Sequence, residues 1–168
     1  MYSKNKKIVL TALMAALICV ATMIIKIPSP LGGYINLGDC LVLISGWILS
    51  PVYGFLAAGI GSSLADLLSG YALYAPATFI IKGCMALVAF GIFKLMKNKT
   101  RKLPARLIGG ILAEIVMVGG YFVFEGFLYG FGASLVNIPP NCIQGIAGIV
   151  IGLLLVKVFE KINTIVME

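Results

Sequence analysis

Apolar residues come in long runs along this chain, and polar residues collect between them. From the N-terminus the runs cover about residues 8–25, 38–49, 52–68, 77–96, 107–131 and 141–159. Several approach ~20 residues, the length at which a helix crosses a hydrocarbon layer ~30 Å thick. Pro28, Pro30, Gly32 and Gly33 stop the first run, and Pro51 separates the second from the third. The tyrosine-rich stretch 69–76 closes on Pro76, and Pro139-Pro140 precedes the last run. Proline and glycine both disfavour continued helix, so these are the turns. The run 38–49 is short, and 107–131 is long enough that it must tilt or emerge from the bilayer. The pattern predicts an all-α fold: an integral membrane bundle of six transmembrane helices, forming a single transmembrane domain over residues 1–168.

Composition sharpens this picture. With 61% hydrophobic and only 11% charged residues among 168, too little polar material exists to surface a soluble domain. The basic start before residues 8–25 is similar to a signal peptide, but the apolar run is long, lacks a small-residue exit and is followed by further spans. It is expected to be a retained first helix. No internal repeat of the inverted-repeat transporter kind is visible.

The net charge of +7 first raises the question of nucleic acid. Its distribution answers otherwise. Lys4, Lys6 and Lys7 precede the first span, and Lys94, Lys97, Lys99, Arg101, Lys102 and Arg106 cluster between the fourth and fifth. Lys157 and Lys161 follow the sixth. Basic residues resist translocation, so this arrangement predicts a multi-pass cell-membrane protein with both termini cytoplasmic. The outer loops are then about 26–38, 69–76 and 132–140, the inner ones about 50–51 and 97–106. The expected surroundings are the lipid bilayer, with no nucleic-acid partner.

Nothing supports catalysis. The chain has no histidine, no Gly-x-Ser-x-Gly and no phosphate-cradling glycine loop followed by Lys-Ser/Thr. Cys19, Cys40, Cys84 and Cys142 show no Cys-x-x-Cys spacing; they are expected to be small packing residues, with no metal site and no cofactor. The protein is expected not to be an enzyme.

Five ionisable residues fall within or at the ends of spans: Asp39, Asp66, Lys82, Glu114 and Glu125. Each costs roughly 2.5–3.5 kcal/mol on insertion scales, so each should face protein or a wet cavity. Asp39, Asp66, Lys82 and Glu125, with Asn141 and Gln144 on one face of the last helix, converge towards the outer end. Tyr34, Tyr71, Tyr74, Phe79, Tyr121, Phe122 and Tyr129 fall at the same level. An aromatic wall with a few placed polar groups suits a small-molecule site. The acids and Lys82 could instead pair with one another and with loop backbone. Glu114 shares a helix face with Tyr121 and Glu125 but lies about 16 Å deeper than Glu125, where a protonated or hydrogen-bonded packing role is expected. Small residues stripe three helices: Ala12, Ala16 and Cys19; Gly54, Ala58, Gly61 and Ala65; and Asn141, Gly145, Gly148 and Gly152. Such stripes let helix backbones approach closely. The first could alternatively dock a partner.

Two stretches carry a resemblance: LGDCLVLISGWILSPVYGFLAAGIGSSLADLLSGYALYAPATFIIKG over residues 37–83, and GGYFVFEGFLYG with NCIQGIAG over 119–130 and 141–148. With the Ala12-x-x-x-Ala16 pattern on the first helix, they resemble the substrate-binding S components of energy-coupling factor (ECF) vitamin transporters over nearly the whole chain. The resemblance implies an outward pocket formed by helices 4–6 and the outer loops. By position it implies substrate contacts from Lys82, Glu125, Asn141 and Gln144, with Tyr34 and Asn36 on a lid. Tyr74 and Tyr121 are candidates for the aromatic wall. It implies docking through Ala12 and Ala16 to a transmembrane coupling subunit, with two cytoplasmic ATPase subunits powering inward release. The substrate would be a small vitamin or precursor, and the tyrosines suit a heteroaromatic ring such as pyridoxine or hydroxymethylpyrimidine. The alternatives are a riboflavin-specific S component, or a non-transport six-helix membrane scaffold. A scaffold has no reason to gather Lys82, Glu125, Asn141 and Gln144 at one depth.

Overall fold

The structure, a computed structural model, describes residues 4–167, and the side chains of residues 4–161. Helix α1 (Lys4–Ile24) is followed by strands β1 (Lys26–Pro28) and β2 (Tyr34–Asn36), then α2 (Gly38–Ile48), α3 (Pro51–Leu68), α4 (Ala75–Met96) and α5 (Lys102–Tyr129). A four-residue helix α6 (Phe131–Ser134) and a 3-10 turn (Leu135–Asn137) lead into α7 (Ile138–Met167).

The fold is an all-α membrane bundle, as the hydrophobic pattern predicts. Among the described residues, five helices (α1, α3, α4, α5 and α7) are long and apolar enough to cross a membrane. The sixth member, α2, has 11 residues and reaches about 16 Å, roughly half the hydrocarbon thickness. Its place explains its composition. Every residue from Gly38 to Trp47 is buried, because α1, α3, α4 and α7 all pack on it. A helix that is apolar all round is a core helix. Leu43 and Ile44 of α2 fill the centre together with Met14, Met85 and Met117 from the surrounding helices.

The other helices are apolar outward as well as inward, with Leu154, Ile146, Ile115 and Ile80 on the outside. That pattern belongs to a protein solvated by lipid rather than water. The small-residue stripe of α3 does pack. Gly61 lies so close to α1 that an added Cβ would meet the Ala15 carbonyl at 2.5 Å. On α1, Cys19 turns inward, whereas Ala12 and Ala16 stay exposed.

Boundaries differ from the sequence expectation where charge or proline was read as a helix end. Helix α5 starts at Lys102 and takes in the second half, 102–106, of the basic stretch 97–106; hydropathy marks the membrane edge, while lysine and arginine are good helix formers. Helix α7 includes Pro139 and Pro140 in its first turn, where the missing N–H groups have no intrahelical partner to lose. The outer segment 26–36, expected as loop, holds an antiparallel hairpin pairing Lys26 with Asn36 and Pro28 with Tyr34. Its turn closes through the Ser29 and Gly33 backbones at 3.2 Å. Gly32 and Gly33 adopt φ of 106° and 73°, a region that side-chain-bearing residues avoid.

Candidate functional site

The hairpin lies over one end of the bundle, opposite the end that carries the basic cluster. Beneath it is a narrow cavity of about 30 Å³, room for about one or two waters. Its wall is built from the hairpin, the ends of α3 and α4, the upper part of α5 and the start of α7. Tyr34 and Asn36 come from β2, Tyr74 from the cap of α4, Tyr121 and Glu125 from α5, and Asn141 and Gln144 from α7. Seven of the eight residues singled out as substrate contacts therefore face one space.

Lys82 is the eighth, and it sits below the cavity. It lies 8 residues into α4 from Tyr74, about 12 Å down the helix axis. There its ammonium pairs with Asp39 Oδ1, both groups buried. It also stands 5.5 Å from the centroid of the Tyr121 ring. Part of the alternative pairing of acids with Lys82 is thus realised in Asp39. Glu114 is deeper still and outside the cavity wall. Among the described residues neither of its carboxyl oxygens has a hydrogen-bond partner, so of the protonated or hydrogen-bonded packing role expected for it the hydrogen bond is not seen; its side chain packs against Gly145.

Sequence reasoning left Ser29, Gly32, Gly33 and Thr78 out of the site and placed Asp66 at its level without naming it a substrate contact, yet all five line the cavity. Two carried a legible signal. Asp66 is an in-span acid at the right depth, and Tyr74, Thr78 and Lys82 stand at i, i+4, i+8 on one face of α4.

Hydrogen bonds tie the hairpin to the bundle on three sides. Tyr34 Oη donates to Asp66 Oδ1 at 2.7 Å. The Asn36 N–H donates to Gln144 Oε1 at 2.8 Å, and Gln144 Nε2 donates in turn to Asp39 Oδ2 at 2.6 Å. Asp39 thereby sets which way the Gln144 amide points, and Lys82 holds Asp39. On the third side Ser29 Oγ donates to Asn137 Oδ1 at 2.5 Å, and Asn137 Nδ2 donates to Glu125 Oε1 at 2.8 Å. Burial, and then the charge of Asp66, push the Tyr34 hydroxyl well above the ordinary tyrosine range. Tyr74 is raised by burial, its bond to Tyr129 and the charge of Glu125. Both therefore remain neutral donors.

Two acceptors in the wall are unanswered. Among the described residues, Asp66 Oδ2 and Glu125 Oε2 are buried without a hydrogen-bond partner. A buried carboxylate oxygen left unpaired costs about 1–3 kcal/mol or more, so the wall is suited to a guest that brings N–H or O–H donors. Tyr34, Tyr74 and Tyr121 are the aromatic residues of the wall; behind it Tyr71 braces Tyr34 at a centroid distance of 4.8 Å and Phe124 braces Tyr74 at 5.2 Å. Among the described residues the wall contains no lysine or arginine to meet a phosphate or carboxylate, and Lys82 beneath it is engaged by Asp39.

Comparison with known proteins agrees with this architecture. The family model described as ECF-type riboflavin transporter, S component, matches residues 3–161. The thiamine precursor transporter HmpT of Lactococcus lactis subsp. cremoris is 29% identical over 168 residues, covering 96% of this chain and 92% of its own. An uncharacterized protein of the gap 3' region of Pyrococcus woesei is 35% identical over 136 residues, with 80% and 88% covered. Among solved structures, the S component of a bacterial ECF transporter superposes with a TM-score of 0.75 at 25% identity, covering 95% of this chain and 98% of that one. An S component for biotin shares the fold at a TM-score of 0.55 and 24% identity, with 94% and 95% covered. The chain belongs to the ECF-type riboflavin transporter S component family.

Proposed function

We propose that this S component captures a small heteroaromatic vitamin precursor of the hydroxymethylpyrimidine or pyridoxine kind in the cavity under the β1–β2 hairpin. The observation that carries the reading is the pair of unanswered buried acceptors, Asp66 Oδ2 and Glu125 Oε2, in a wall of tyrosines. An aminopyrimidine or a hydroxylated pyridine is flat, carries donors on its rim and bears no phosphate. It would stack on tyrosine while its donors answer the two carboxylates. Likeness to a thiamine precursor transporter over 96% of the chain supports a single small ring.

The cavity is read as facing outward, with both termini cytoplasmic, because Lys and Arg gather at the opposite end. The exposed Ala12 and Ala16 border an apolar groove between α1 and α3, and this face is read as the docking surface for a transmembrane coupling subunit. ATP hydrolysis would come from two ATPase subunits beneath it. The family description favours riboflavin as a second reading. Either guest would need the cavity of about 30 Å³ to open, and the three fused rings of riboflavin would need it to open much further than a single ring would.

Mass spectrometry of small molecules co-purifying from cells fed both compounds separates the readings. A pyrimidine or pyridine released in near-stoichiometric amount supports the proposal. Riboflavin released instead overturns it.

A further inference from the structure

At the end of the bundle away from the hairpin lies a second cavity, of about 400 Å³, between α1, the α2–α3 junction and α4. Three lysines stand around it: Lys7 from α1, and Lys94 and Lys97 from the end of α4. Between them the wall is apolar and aromatic, including Phe90 and Phe93. Trp47 of α2 also lines it, and its indole N–H is buried with no hydrogen-bond partner among the described residues.

The charge balance at this end is uneven. Glu160 holds Arg106 at 2.6 Å and Lys102 at 3.5 Å. Lys7, Lys94 and Lys97 have no carboxylate within ion-pair distance among the described residues, and Lys7 and Lys94 lie only over aromatic rings, at 6.0 Å from the Tyr53 and 5.6 Å from the Phe90 centroid. The cavity wall itself contains no acid. Three cations, a spare N–H and an apolar floor at the membrane edge call for an anionic head on an apolar tail. Lysine stems can lie along such a floor while their ammonium groups turn to the headgroup layer.

We propose that this cavity is a binding site for an anionic phospholipid, with the phosphate among Lys7, Lys94 and Lys97 and an acyl chain along Phe90 and Phe93. Basic pockets between transmembrane helices are the usual receptors for such headgroups. The site is separate from the vitamin cavity and does not depend on the substrate assigned there.

Trp47 is the single tryptophan of the chain, so its fluorescence reports on this wall directly. The full chain is reconstituted in phosphatidylcholine containing a minor fraction of chain-brominated phosphatidylglycerol or, in parallel, chain-brominated phosphatidylcholine. The expected result is roughly tenfold enrichment of the anionic lipid over its bulk fraction at Trp47, as for a cluster of membrane-edge lysines. Replacing Lys7, Lys94 and Lys97 together by Gln should abolish that preference, while Lys26→Gln at the opposite end should leave it. These lysines are outside the core, and an unchanged Trp47 emission maximum verifies that the triple variant is folded. Equal quenching by the two brominated lipids, or a preference that survives in the folded triple variant, overturns the proposal. Displacement of the brominated lipid by sn-glycerol 1-phosphate at comparable concentration would also overturn it, by assigning the site to soluble phosphates.

Discussion

Glu125 uses one carboxylate oxygen on Asn137 and leaves the other buried and unanswered, and Asp66 does the same with Tyr34. If those second oxygens receive the ligand's donors, Glu125→Gln should weaken binding by roughly ten- to a hundredfold, a charge-assisted bond being about 1.5–3 kcal/mol. Asn141→Ala should cost about tenfold, and both variants should keep close to the parent melting temperature. Titration beside a thermal melt checks this. Lys82 and Asp39 should behave in the opposite way. Asp39→Asn leaves a buried ammonium without its counter-charge, a loss of about 3–5 kcal/mol, so the melting temperature should collapse before affinity is affected. A stable Asp39→Asn protein would remove the pair's structural role. Hydropathy and helical spacing sufficed to bring Glu125, Asn141 and Gln144 to one level. They could not say that Lys82 would be consumed by Asp39, because that pairing joins residues 43 positions apart on helices whose rotation the sequence leaves open.

The helices were legible because each apolar run is solvated by lipid or by α2, and both demand the same side chains. The hairpin was not. Its strands are three residues each, shorter than any periodicity can register, and tertiary bonds from Tyr34, Asn36 and Ser29 hold it in place. As an element it closes the cavity, and its turn depends on Gly32 and Gly33 at positive φ. Gly33→Ala should strain the turn by about 1 kcal/mol and bring a methyl to 3.4 Å from Tyr74. Faster ligand dissociation with little change in association is expected by stopped-flow; an unchanged off-rate would free the hairpin of a lid role. The α1 face tests differently. Bulky tryptophans at Ala12 and Ala16, both exposed, should leave binding intact and abolish uptake when the coupling and ATPase subunits are present. Uptake at the parental rate would place the docking face elsewhere.

At the scale of the whole molecule, the two ends of the bundle differ in kind: one carries acids, amides and tyrosines around a small cavity, the other most of the basic residues. The proposed orientation rests on that asymmetry. In a background stripped of native cysteines, Pro30→Cys should react with an impermeant maleimide on intact cells, and Lys99→Cys should not. The reverse labelling would invert the topology.

The hairpin-covered cavity is proposed to take one small heteroaromatic ring. Isothermal titration of the purified chain with hydroxymethylpyrimidine, pyridoxine and riboflavin tests it most directly. One site with a Kd of about 1 μM or below, equivalent to about −8 kcal/mol, is expected for one of the two single-ring compounds. Riboflavin should bind at least roughly a hundredfold more weakly, about 2.8 kcal/mol. Tighter binding of riboflavin than of either single ring would contradict the account.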